Sequence, residues 1–269
     1  MSGDMNACVI IPAAGRSERF GASDKLGQDL GGRPLLLRTV ELFARRDEVR
    51  TIFVAGPPDP AAFQDFRERY AATLGFHGAT VVPGGTAARW ETVRAVLPEV
   101  PADATHVAVH DAARPGASKT LLDRVFEAAR TFDAVVPGLA VDDTVKRVGA
   151  TADEADPDAD DALADAILGE AGRARIHAWP VVETVDRADL MLVQTPQIFA
   201  TSLLRRAYEQ SNLDGVTDDA SLVERLGEPV HVVEGEVSNF KITTPADLTL
   251  MRAVLGLKAP AERPVHKRF

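Results

Sequence analysis

The amino-acid sequence predicts an α/β fold: a mostly parallel sheet with helices on both of its faces. Three observations lead to this prediction. Short β-branched segments alternate with longer segments of helical period, as in chains built from βαβ units. The β-branched segments are almost continuously apolar, which is typical of strands buried on both sides. The chain has 269 residues, 45% of them hydrophobic, which is enough to bury a substantial core.

The alternation begins at residue 7 and continues in chain order. The predicted strands are ACVIIP, TIFVAG, ATVVPGG, THVAVHDAARP and DAVVPG, and the predicted helices between them are PLLLRTVELFARR, PAAFQDFRERYAATLG, RWETVRAVL and SKTLLDRVFEAARTF. Near the end of the chain, Thr244 is a predicted N-cap and Pro245 the first residue of another helix. Because such folds bind ligands beyond the carboxyl ends of their strands, we expect the segments after Ile11, Val82 and Val109 to converge.

Composition and charge restrict the classes of function. The formal net charge of -10 disfavours general nucleic-acid binding, which depends on Lys and Arg side chains that neutralise phosphates. Cys8 is the only cysteine and lies in an apolar run, so we expect no disulfide, no zinc cluster, and a reducing, cytoplasmic compartment. We also expect neither export nor a membrane span, since there is no signal-peptide pattern and no run of about 18 apolar residues.

One region interrupts the alternation, and we expect it to form an arm. DDTVKRV and RIHAWPVVETVDR read as extended segments that pair as a projecting hairpin, inside an insertion at about 141–190 of a single domain spanning 1–269. Between them, the Ala- and Asp-rich segment from Gly149 to about Asp161 is expected to be a mobile, solvated excursion. Such an arm usually packs on something, and a second subunit is the expected partner.

The stretch PAAGRSERFGASDK follows the first predicted strand and has the features of a phosphate site. Its small residues Ala13, Ala14 and Gly15 would let backbone N–H groups approach a phosphate closely. Positive charge in the same loop comes from Arg16, Arg19 and Lys25. The spacing fits neither a Walker A loop nor G-x-G-x-x-G. An ordinary tight turn with solvated arginines is the alternative interpretation.

Two further motifs follow predicted strands. Asp111 in VHDAARP comes directly after a strand, where a carboxylate can hold Mg²⁺ together with nucleotide phosphates, and Arg114 follows three residues later. An Asp-capped turn with a surface arginine is the alternative. In PGGTAARWETV, Gly85 and the hydroxyl of Thr92 suit a flat base that lies against the backbone. A simple strand-to-helix turn explains this second motif equally well.

The C-terminal third of the chain adds three candidates. Lys241 lies among apolar residues in SNFKITTPADL, so we expect its ammonium group to turn toward a cleft and not into the core. An exposed lysine on an edge strand is the alternative. The Pro-bounded stretch QTPQIF carries the hydroxyl of Thr195. In TDDAS, Thr217 precedes two aspartates just before a helix, where capping alone would account for them.

Together these motifs occur in the order found in a known family. From about Ala7 to Leu250, the sequence resembles the 2-C-methyl-D-erythritol 4-phosphate cytidylyltransferase family in PAAGRSERFG…DK, PGG…RWETV, VHDAARP, DDTVKRV, ETVDR, QTPQIF, TDDASLVE and NFKITTPADL. Eight ordered motifs are far more specific than any single one. The resemblance implies a Rossmann-like nucleotidyltransferase fold, and the use of CTP and a sugar-alcohol phosphate in non-mevalonate isoprenoid synthesis. It also implies Mg²⁺ and a homodimer whose β-arm reaches the partner's active site.

The resemblance also implies roles for individual residues. The catalytic candidates on the reacting phosphates are Arg19, Lys25 and Lys241; the nucleotide-binding candidates are Ala13, Ala14, Gly15, Gly85, Thr92 and Asp111, with Asp111 also the candidate metal ligand. The candidates that face the sugar phosphate are Arg114, Thr195, Thr217 and Lys241 in one subunit, and Thr144 and Arg187 on the arm of the other. No general base is needed, since a phosphate monoester is mostly ionised at neutral pH.

The sequence departs from the family pattern at two places. The lysine of the first motif is commonly followed by Gln and an aromatic residue, whereas Leu26 and Gly27 follow Lys25 here. The arm region between Val148 and Val181 is longer than the family norm. Two alternative functions remain open: a cytidylyltransferase for another polyol phosphate, such as ribitol 5-phosphate, and a nucleotide-binding module without catalysis. The second alternative predicts damaged phosphate loops.

Overall fold

The structure is a computed structural model that describes residues 5–15, 20, 24–86, 88–149, 153–155 and 176–257. The chain divides into two compact units: the first combines Met1–Leu139 with Val193–Phe269, and the second is Ala140–Leu192. The expectation of one domain with an insertion at about 141–190 stays a prediction. Within the described ranges, none of the helices has the length and apolar character needed to cross a membrane.

The sheet of the first unit is mostly parallel, as predicted. The described strands of the chain are β1 (Ala7–Pro12), β2 (Val49–Gly56), β3 (Ala79–Pro83), β4 (His106–Val109), β5 (Ala134–Ala140), β6 (Val145–Val148), β7 (Asp153–Ala155), β8 (Ile176–Ala178), β9 (Val181–Val185), β10 (Met191–Val193), β11 (Gln197–Ala200) and β12 (His231–Glu234). In the first unit the strand order is β5-β11-β4-β1-β2-β3, and β12 pairs with β5. The β1–β2, β1–β4, β2–β3 and β5–β12 pairs are parallel.

Helices form at the four places between predicted strands, at Pro245 and after Asp218, as the sequence predicts, and at one further place, residues 201–208. The described helices are α1 (Leu35–Glu41), α2 (Pro60–Phe76), α3 (Arg89–Val96), α4 (Lys119–Ala129), α5 (Thr201–Tyr208), α6 (Asp219–Arg225) and α7 (Pro245–Val254). The predicted N-cap Thr244 is confirmed, because its hydroxyl accepts the N–H of Asp247 at 3.3 Å. The carboxylate of Asp247 accepts the N–H of Thr244 at 2.8 Å in return, which completes a capping box.

These helices cover both faces of the sheet, which explains the unbroken apolar run of β1. Val9 and Ile11 pack in one core cluster with residues of α1, α2, α4 and α7. Cys8 and Ile10 point to the opposite face and pack with residues of α3, α5 and α6. Burial raises the pKa of the Cys8 thiol to about 12, so this cysteine is a small buried hydrophobe, as expected.

One strand of the sheet is not anticipated by the sequence analysis. β11 lies between β4 and β5 and runs antiparallel to both, with Ile198 opposite Ala108 on one side and Val135 on the other. The sequence shows only a short apolar stretch after Pro196, which is too short to distinguish a central strand from a loop. The position of β11 between β4 and β5 brings Thr195, just before this strand, beside the end of β4.

In the second unit, the two extended segments pair as expected. β6 is antiparallel to β9, with Val145 opposite Val185. The expectation of a mobile excursion from Gly149 to about Asp161 is wrong at Asp153–Ala155, which forms β7 and pairs antiparallel with β8. Ladder hydrogen bonds join backbone groups, so Ala and acidic residues can pair where a neighbouring strand offers its edge. The remaining residues of this segment after Gly149 lie outside the described ranges.

A buried polar network fixes the first turn beyond β4. Nε2 of His110 donates to the carbonyl of Arg114 at 2.9 Å, so Nδ1 accepts from the hydroxyl of Thr195 at 3.2 Å. The same hydroxyl oxygen accepts the N–H of Asp111 at 3.0 Å. The ring of His110 lies edge-on to Phe43 with centroids 5.0 Å apart. Burial lowers the pKa of His110 to about 4, so the ring is neutral at physiological pH.

The buried His110 predicts a loss of stability in mild acid. Its ordinary pKa is 6.5, and below this value the unfolded chain binds a proton that the folded protein excludes down to a pKa of about 4. The contribution is fully present above pH 6.5 and is lost as the pH falls through this window, by up to about 3 kcal/mol from this residue. We expect His110→Gln to flatten the pH dependence of the unfolding free energy, measured by urea unfolding.

The control for this measurement is His77→Gln, at a histidine that directly follows α2. This variant should keep the wild-type slope. An unchanged slope in His110→Gln would contradict the assignment, whatever its effect on stability at neutral pH.

Candidate active site

The segments after Ile11 and Val82 meet at one edge of the sheet, as predicted, with the end of β2 between them. The N–H of Ala13 donates to the carbonyl of Ala55 at 2.7 Å, and the N–H of Gly84 donates to the carbonyl of Gly56 at 2.9 Å. A Cβ built on Gly84 would lie 2.7 Å from the Gly56 oxygen and 3.2 Å from the Cβ of Ala14. The close approach therefore requires a glycine at residue 84.

The backbone of the predicted phosphate loop borders open space at Gly15. A Cβ built on Gly15 would meet no atom within 4 Å. Ala13 is buried, whereas Ala14 is partly exposed and Gly15 is exposed at the end of the segment. Small residues therefore lead from a buried strand to an accessible turn. Arg16 and Arg19, predicted to bind phosphate, lie outside the described residues.

The predicted base-binding motif forms a tight turn against the start of α3. The hydroxyl of Thr92 accepts the N–H of Gly85 at 3.2 Å, and Thr92 is only 3% exposed. A Cβ on Gly85 would lie 2.4 Å from the backbone carbon of Glu91, so only glycine fits there. The carboxylate of Glu91 accepts from the N–H and the hydroxyl of Thr86, at 3.0 and 2.9 Å. The Thr92 hydroxyl thus holds this turn, and its contact with a base stays a prediction.

The two candidate catalytic lysines come together although 216 positions separate them in the numbering. Nζ of Lys25 donates to the carbonyl of Ile242 at 3.3 Å, which places it beside the segment that carries Lys241. Nζ of Lys241 lies 3.1 Å from Oδ2 of Asp111, and its side chain is 40% exposed. The expectation that Lys241 turns away from the core toward other polar groups agrees with this geometry.

The carboxylate of Asp111 is the centre of the site. Its Oδ1 accepts from Nε of Arg89 at 3.2 Å, and its Oδ2 accepts from Nε of Arg114 at 3.1 Å and pairs with Lys241. Nη1 of Arg114 donates to the carbonyl of Asn239 at 2.8 Å. The candidate site residues Asp111, Arg114 and Lys241 are therefore in one cluster, in which both cations contact the carboxylate, and Arg114 also joins the end of β4 to the segment that precedes Lys241.

The charges around Asp111 determine its ionisation. Burial would raise the pKa of this carboxyl, but the positive charges of Arg89, Lys241 and Arg114 hold it well below its usual range. Asp111 is therefore a carboxylate at any physiological pH. A carboxylate that is stabilised in this way by three cations is a poor proton acceptor, so the geometry does not offer Asp111 as a general base.

The fit of this site to a divalent cation is poor. In the described part of the chain, no group of three His, Cys, Asp or Glu side chains is placed to hold a metal ion. Both oxygens of Asp111 already accept from cationic groups, and a metal on either oxygen would lie against Arg89 or against Arg114 and Lys241. In this arrangement the side chains do not form a metal site of their own.

Sequence reasoning missed Arg89 and Asp219. Nη1 of Arg89 lies 2.5 Å from Oδ2 of Asp219, so one guanidinium bridges two carboxylates. Asp219 is fully buried and also accepts from the hydroxyl of Tyr208. Burial lowers the pKa of Arg89, but Asp219 and Asp111 raise it above its ordinary value, so it stays charged. Nη2 of Arg89 is buried without a hydrogen-bond partner among the described residues.

A sequence signal for Asp219 exists. Asp219 shares a helix face with the buried residues Leu222 and Val223, three and four positions later. A carboxylate on an apolar helix face requires a partner, and capping by the preceding Asp218 leaves Asp219 unexplained. For Arg89 the sequence signal is weak: a cation as the first residue of a helix is disfavoured by the helix dipole, which indicates a nearby carboxylate but does not identify it.

The other predicted residues lie in two places. Thr195, in the first unit, is 4% exposed and its hydroxyl bonds to His110 and to the N–H of Asp111, while Thr217 is exposed just before α6. Thr144 and Arg187 belong to the second unit, and both are exposed. Their expected contacts with a sugar phosphate stay predictions.

Known proteins resemble this chain over nearly its whole length. The family model described as IspD: 2-C-methyl-D-erythritol 4-phosphate cytidylyltransferase matches residues 7–161 and 153–257. A relative of that name from Frankia casuarinae is 41% identical over 258 residues, which cover 94% of this chain and 83% of the relative. A relative of the same name from Streptomyces avermitilis is 40% identical over 256 residues, which cover 92% and 91%.

Solved structures show the same fold. The crystal structure of 2-C-methyl-D-erythritol 4-phosphate cytidylyltransferase from Thermus thermophilus is 34% identical, with a TM-score of 0.65 and coverage of 94% of this chain and 100% of the other. The 4-diphosphocytidyl-2C-methyl-D-erythritol synthase of Anaerococcus prevotii gives a TM-score of 0.69 at 28% identity, with coverage of 94% and 99%. By sequence, by fold and by the motifs that converge on Asp111, this chain belongs to the 2-C-methyl-D-erythritol 4-phosphate cytidylyltransferase family.

Proposed function

We propose that this protein transfers the cytidylyl group of CTP to 2-C-methyl-D-erythritol 4-phosphate and releases pyrophosphate, as the names of its relatives indicate. The observation that carries the proposal is the group of cations at the edge of the sheet, in which Arg114 and Lys241 pair with Asp111 and Lys25 reaches the carbonyl of Ile242, the residue after Lys241. Two polyanions can react only where such a group offsets their repulsion.

The chemistry requires a nucleophile, a leaving group and charge stabilisation. An oxygen of the acceptor's phosphate attacks the α-phosphorus of CTP, and the bond from this phosphorus to the bridging oxygen of the β-phosphate breaks. The electron pair leaves with pyrophosphate. With a second pKa near 6, the acceptor phosphate is already mostly ionised at neutral pH, so no proton has to be removed. The absence of a free base at Asp111 is consistent with this scheme.

The protein's contribution is then electrostatic and positional. Lys25 and Arg19 act on the reacting phosphates of CTP, and Lys241, Arg114 and Thr217 bind the acceptor phosphate. Because Asp111 and Asp219 offset two of the three positive charges of Arg89, Arg114 and Lys241, this group of ion-paired side chains keeps an excess of positive charge. Cations held in place before the substrates bind need no reorganisation when charge develops in the transition state.

The nucleotide occupies the loops after β1 and β3. The triphosphate lies on the backbone at Ala13, Ala14 and Gly15, where the chain borders open space. The base lies against the turn at Gly85, whose geometry is held by Thr92 and the start of α3. Mg²⁺ belongs to the proposal as a cation that enters on the phosphate oxygens, since it commonly keeps most of its ligands as phosphate and water.

A second copy of the chain completes the site. Thr144 and Arg187 are exposed polar residues of the second unit. The same unit exposes large apolar side chains, among them Trp179, Val181, Val182 and Leu192, which are 53–65% exposed. A soluble surface rarely exposes so many without a partner. We therefore include a homodimer in which the second unit of one protomer brings Thr144 and Arg187 to the acceptor bound by the other.

The reaction takes place in the cytoplasm in this proposal. The support is the buried, free Cys8 and the absence of a membrane-spanning helix from the described ranges. Nucleic acid and membranes are not among the expected partners, given the net charge of -10.

Substrate choice is tested by a pyrophosphate-release assay of the purified protein with Mg²⁺. CTP, ATP, GTP and UTP are each combined with methylerythritol phosphate and with ribitol 5-phosphate. We expect kcat/KM to be highest for CTP with methylerythritol phosphate. A preference for ribitol 5-phosphate would replace the proposed acceptor, and binding of CTP without turnover on either acceptor would favour the non-catalytic module.

The lysine at residue 25 should affect turnover. Lys25→Ala is expected to lower kcat by about 10²-fold, the scale for loss of one donor to the transition state. The matched control is Lys119→Ala, which removes an exposed lysine of α4 paired only with Asp123. Single-turnover measurements with saturating CTP separate chemistry from binding, and near-normal turnover of Lys25→Ala would remove this residue from the mechanism.

The shared site is tested by complementation. Dimers of Lys25→Ala and dimers of Arg187→Ala should both have low activity. A heterodimer of these two variants, purified through two different tags, has one intact site and should regain about half of the wild-type activity. The control heterodimer combines Lys25→Ala with Lys241→Ala. Both lysines belong to the site of a single protomer, so each site of this heterodimer lacks one lysine and its activity should stay low. If neither heterodimer recovers activity, the proposed sharing is excluded.

A further inference from the structure

The loop that carries Lys25 departs from the family pattern at Leu26 and Gly27, and packing contacts hold it on two sides. Gly27 stands where the family commonly has an aromatic residue. On one side, the loop is bound to the start of α1: the N–H of Leu36 donates to the carbonyl of Leu26 at 3.1 Å, and that of Leu35 to the carbonyl of Gln28 at 2.9 Å. These bonds hold the loop behind Lys25.

On the other side, Asp24 binds the loop to α2. Its Oδ2 accepts from the hydroxyl of Tyr70 and from Nη1 of Arg69, both at 2.6 Å. Its Oδ1 accepts the N–H of Leu26 at 3.1 Å. The carboxylate of Asp24 thus binds Leu26, so the residues before and after Lys25 are joined to each other. This restricts the backbone from which the lysine extends.

Glycine at residue 27 is a condition of this arrangement. A Cβ built on Gly27 would lie 2.6 Å from Oδ2 of Asp24 and 2.9 Å from the hydroxyl of Tyr70. Any side chain there would push the carboxylate and the phenol apart. The Asp24–Tyr70 hydrogen bond therefore requires glycine in place of the aromatic residue at this position.

The α2 side of this contact is rigid. The helix begins with Asp59 as its N-cap, whose carboxylate accepts the N–H of Ala62 at 2.9 Å. Phe66 packs on Gly56 at the end of β2, and its ring lies 4.8 Å from that of Tyr70. Tyr70 is 5% exposed, so its phenol approaches Asp24 from within the core.

The protonation states suit this contact. Burial raises the pKa of Asp24, but hydrogen bonds from Tyr70, Arg69 and the N–H of Gly27 lower it below the ordinary value. Burial and the nearby carboxylate raise the pKa of Tyr70. The pair is thus an ionised acceptor and a neutral donor, the stronger class of hydrogen bond. Arg69 is more than half exposed, so its ion pair is screened by solvent and contributes less.

We propose that Asp24 and Tyr70 are positioning residues for Lys25: they hold the backbone of its loop so that the ammonium group is in place at the reacting phosphates before CTP binds. The inference rests on the proposed function of Lys25. The physical basis is that a lysine on a flexible four-carbon stem loses rotamer freedom when it is ordered, and a mobile loop would add to that cost.

The first test separates a positioning role from a structural one. Tyr70→Phe keeps the ring packed on Phe66 and removes only the hydroxyl, and Gly27→Ala separates the pair from the other side. We expect each to lower kcat by about tenfold, with less than about a twofold change in the KM for the acceptor. Arg67→Ala, an exposed arginine on the same helix, is the matched control and should behave as the wild type, while Arg69→Ala should lie in between.

The second test repeats Tyr70→Phe in a Lys25→Ala background. If the phenol acts through the lysine, its removal should then change kcat by less than about twofold. The same tenfold loss in both backgrounds, or no loss in the wild-type background, overturns the inference. Because Lys25→Ala is measured alongside, full activity of that variant identifies a failure of the proposed function itself.

A readout that does not depend on activity completes the design. The bond between Lys25 and Leu26 is a trypsin site, and Leu26 is buried. We expect Tyr70→Phe and Gly27→Ala to accelerate cleavage at this bond by about fivefold, monitored by mass spectrometry, and Arg67→Ala to leave it unchanged. Equal cleavage rates in the wild type and Tyr70→Phe would overturn the anchoring, even if the wild type proved to have no cytidylyltransferase activity.

Discussion

The carboxylate of Asp111 holds together cationic side chains from three distant parts of the chain. Arg89 comes from the start of α3, Arg114 from the turn after β4, and Lys241 from the segment before α7. Like charges at this spacing repel each other, so the three could not stay close without a buried anion between them. Asp111 lowers that repulsion while leaving Lys241 partly exposed to whatever binds at the edge of the sheet.

The ion pairs of Arg89 also explain why a second carboxylate, that of Asp219, is buried near Asp111. Arg89 is largely buried, and a buried guanidinium with a single partner would keep much of its desolvation cost. Asp219 supplies the second partner, and the Tyr208 hydroxyl satisfies the other oxygen of Asp219. The turn at Gly85, the carboxylate of Asp111 and the start of α6 are thereby connected through one guanidinium. These segments are fixed relative to each other within the first unit.

The sheet and the helices that cover it bring these charged side chains together at one edge of the sheet. Parallel strands end at the same edge, so the loops after β1, β3 and β4 meet there, and the antiparallel strand β11 adds Thr195 to the same edge. The loop of Lys25, by contrast, does not directly follow a strand. It is held by contacts with α1, with Tyr70 of α2 and with the carbonyl of Ile242, which come from distant parts of the chain.

The sequence by itself determined the α/β class, the order of the strands and helices along the chain, and the motifs that follow strand ends, because hydrophobic periodicity and turn chemistry are local properties. From these alone, Asp111 and Arg114 could be placed at the end of a strand, whereas the family resemblance was needed to place Lys241 in the same site. The tertiary structure decided the rest. The pairing of Arg89 with Asp219, 130 residues apart, the insertion of β11 between β4 and β5, and the Asp24–Tyr70 contact depend on which distant segments pack together. Such contacts are set by the summed packing of the core, and no local pattern in the sequence encodes them.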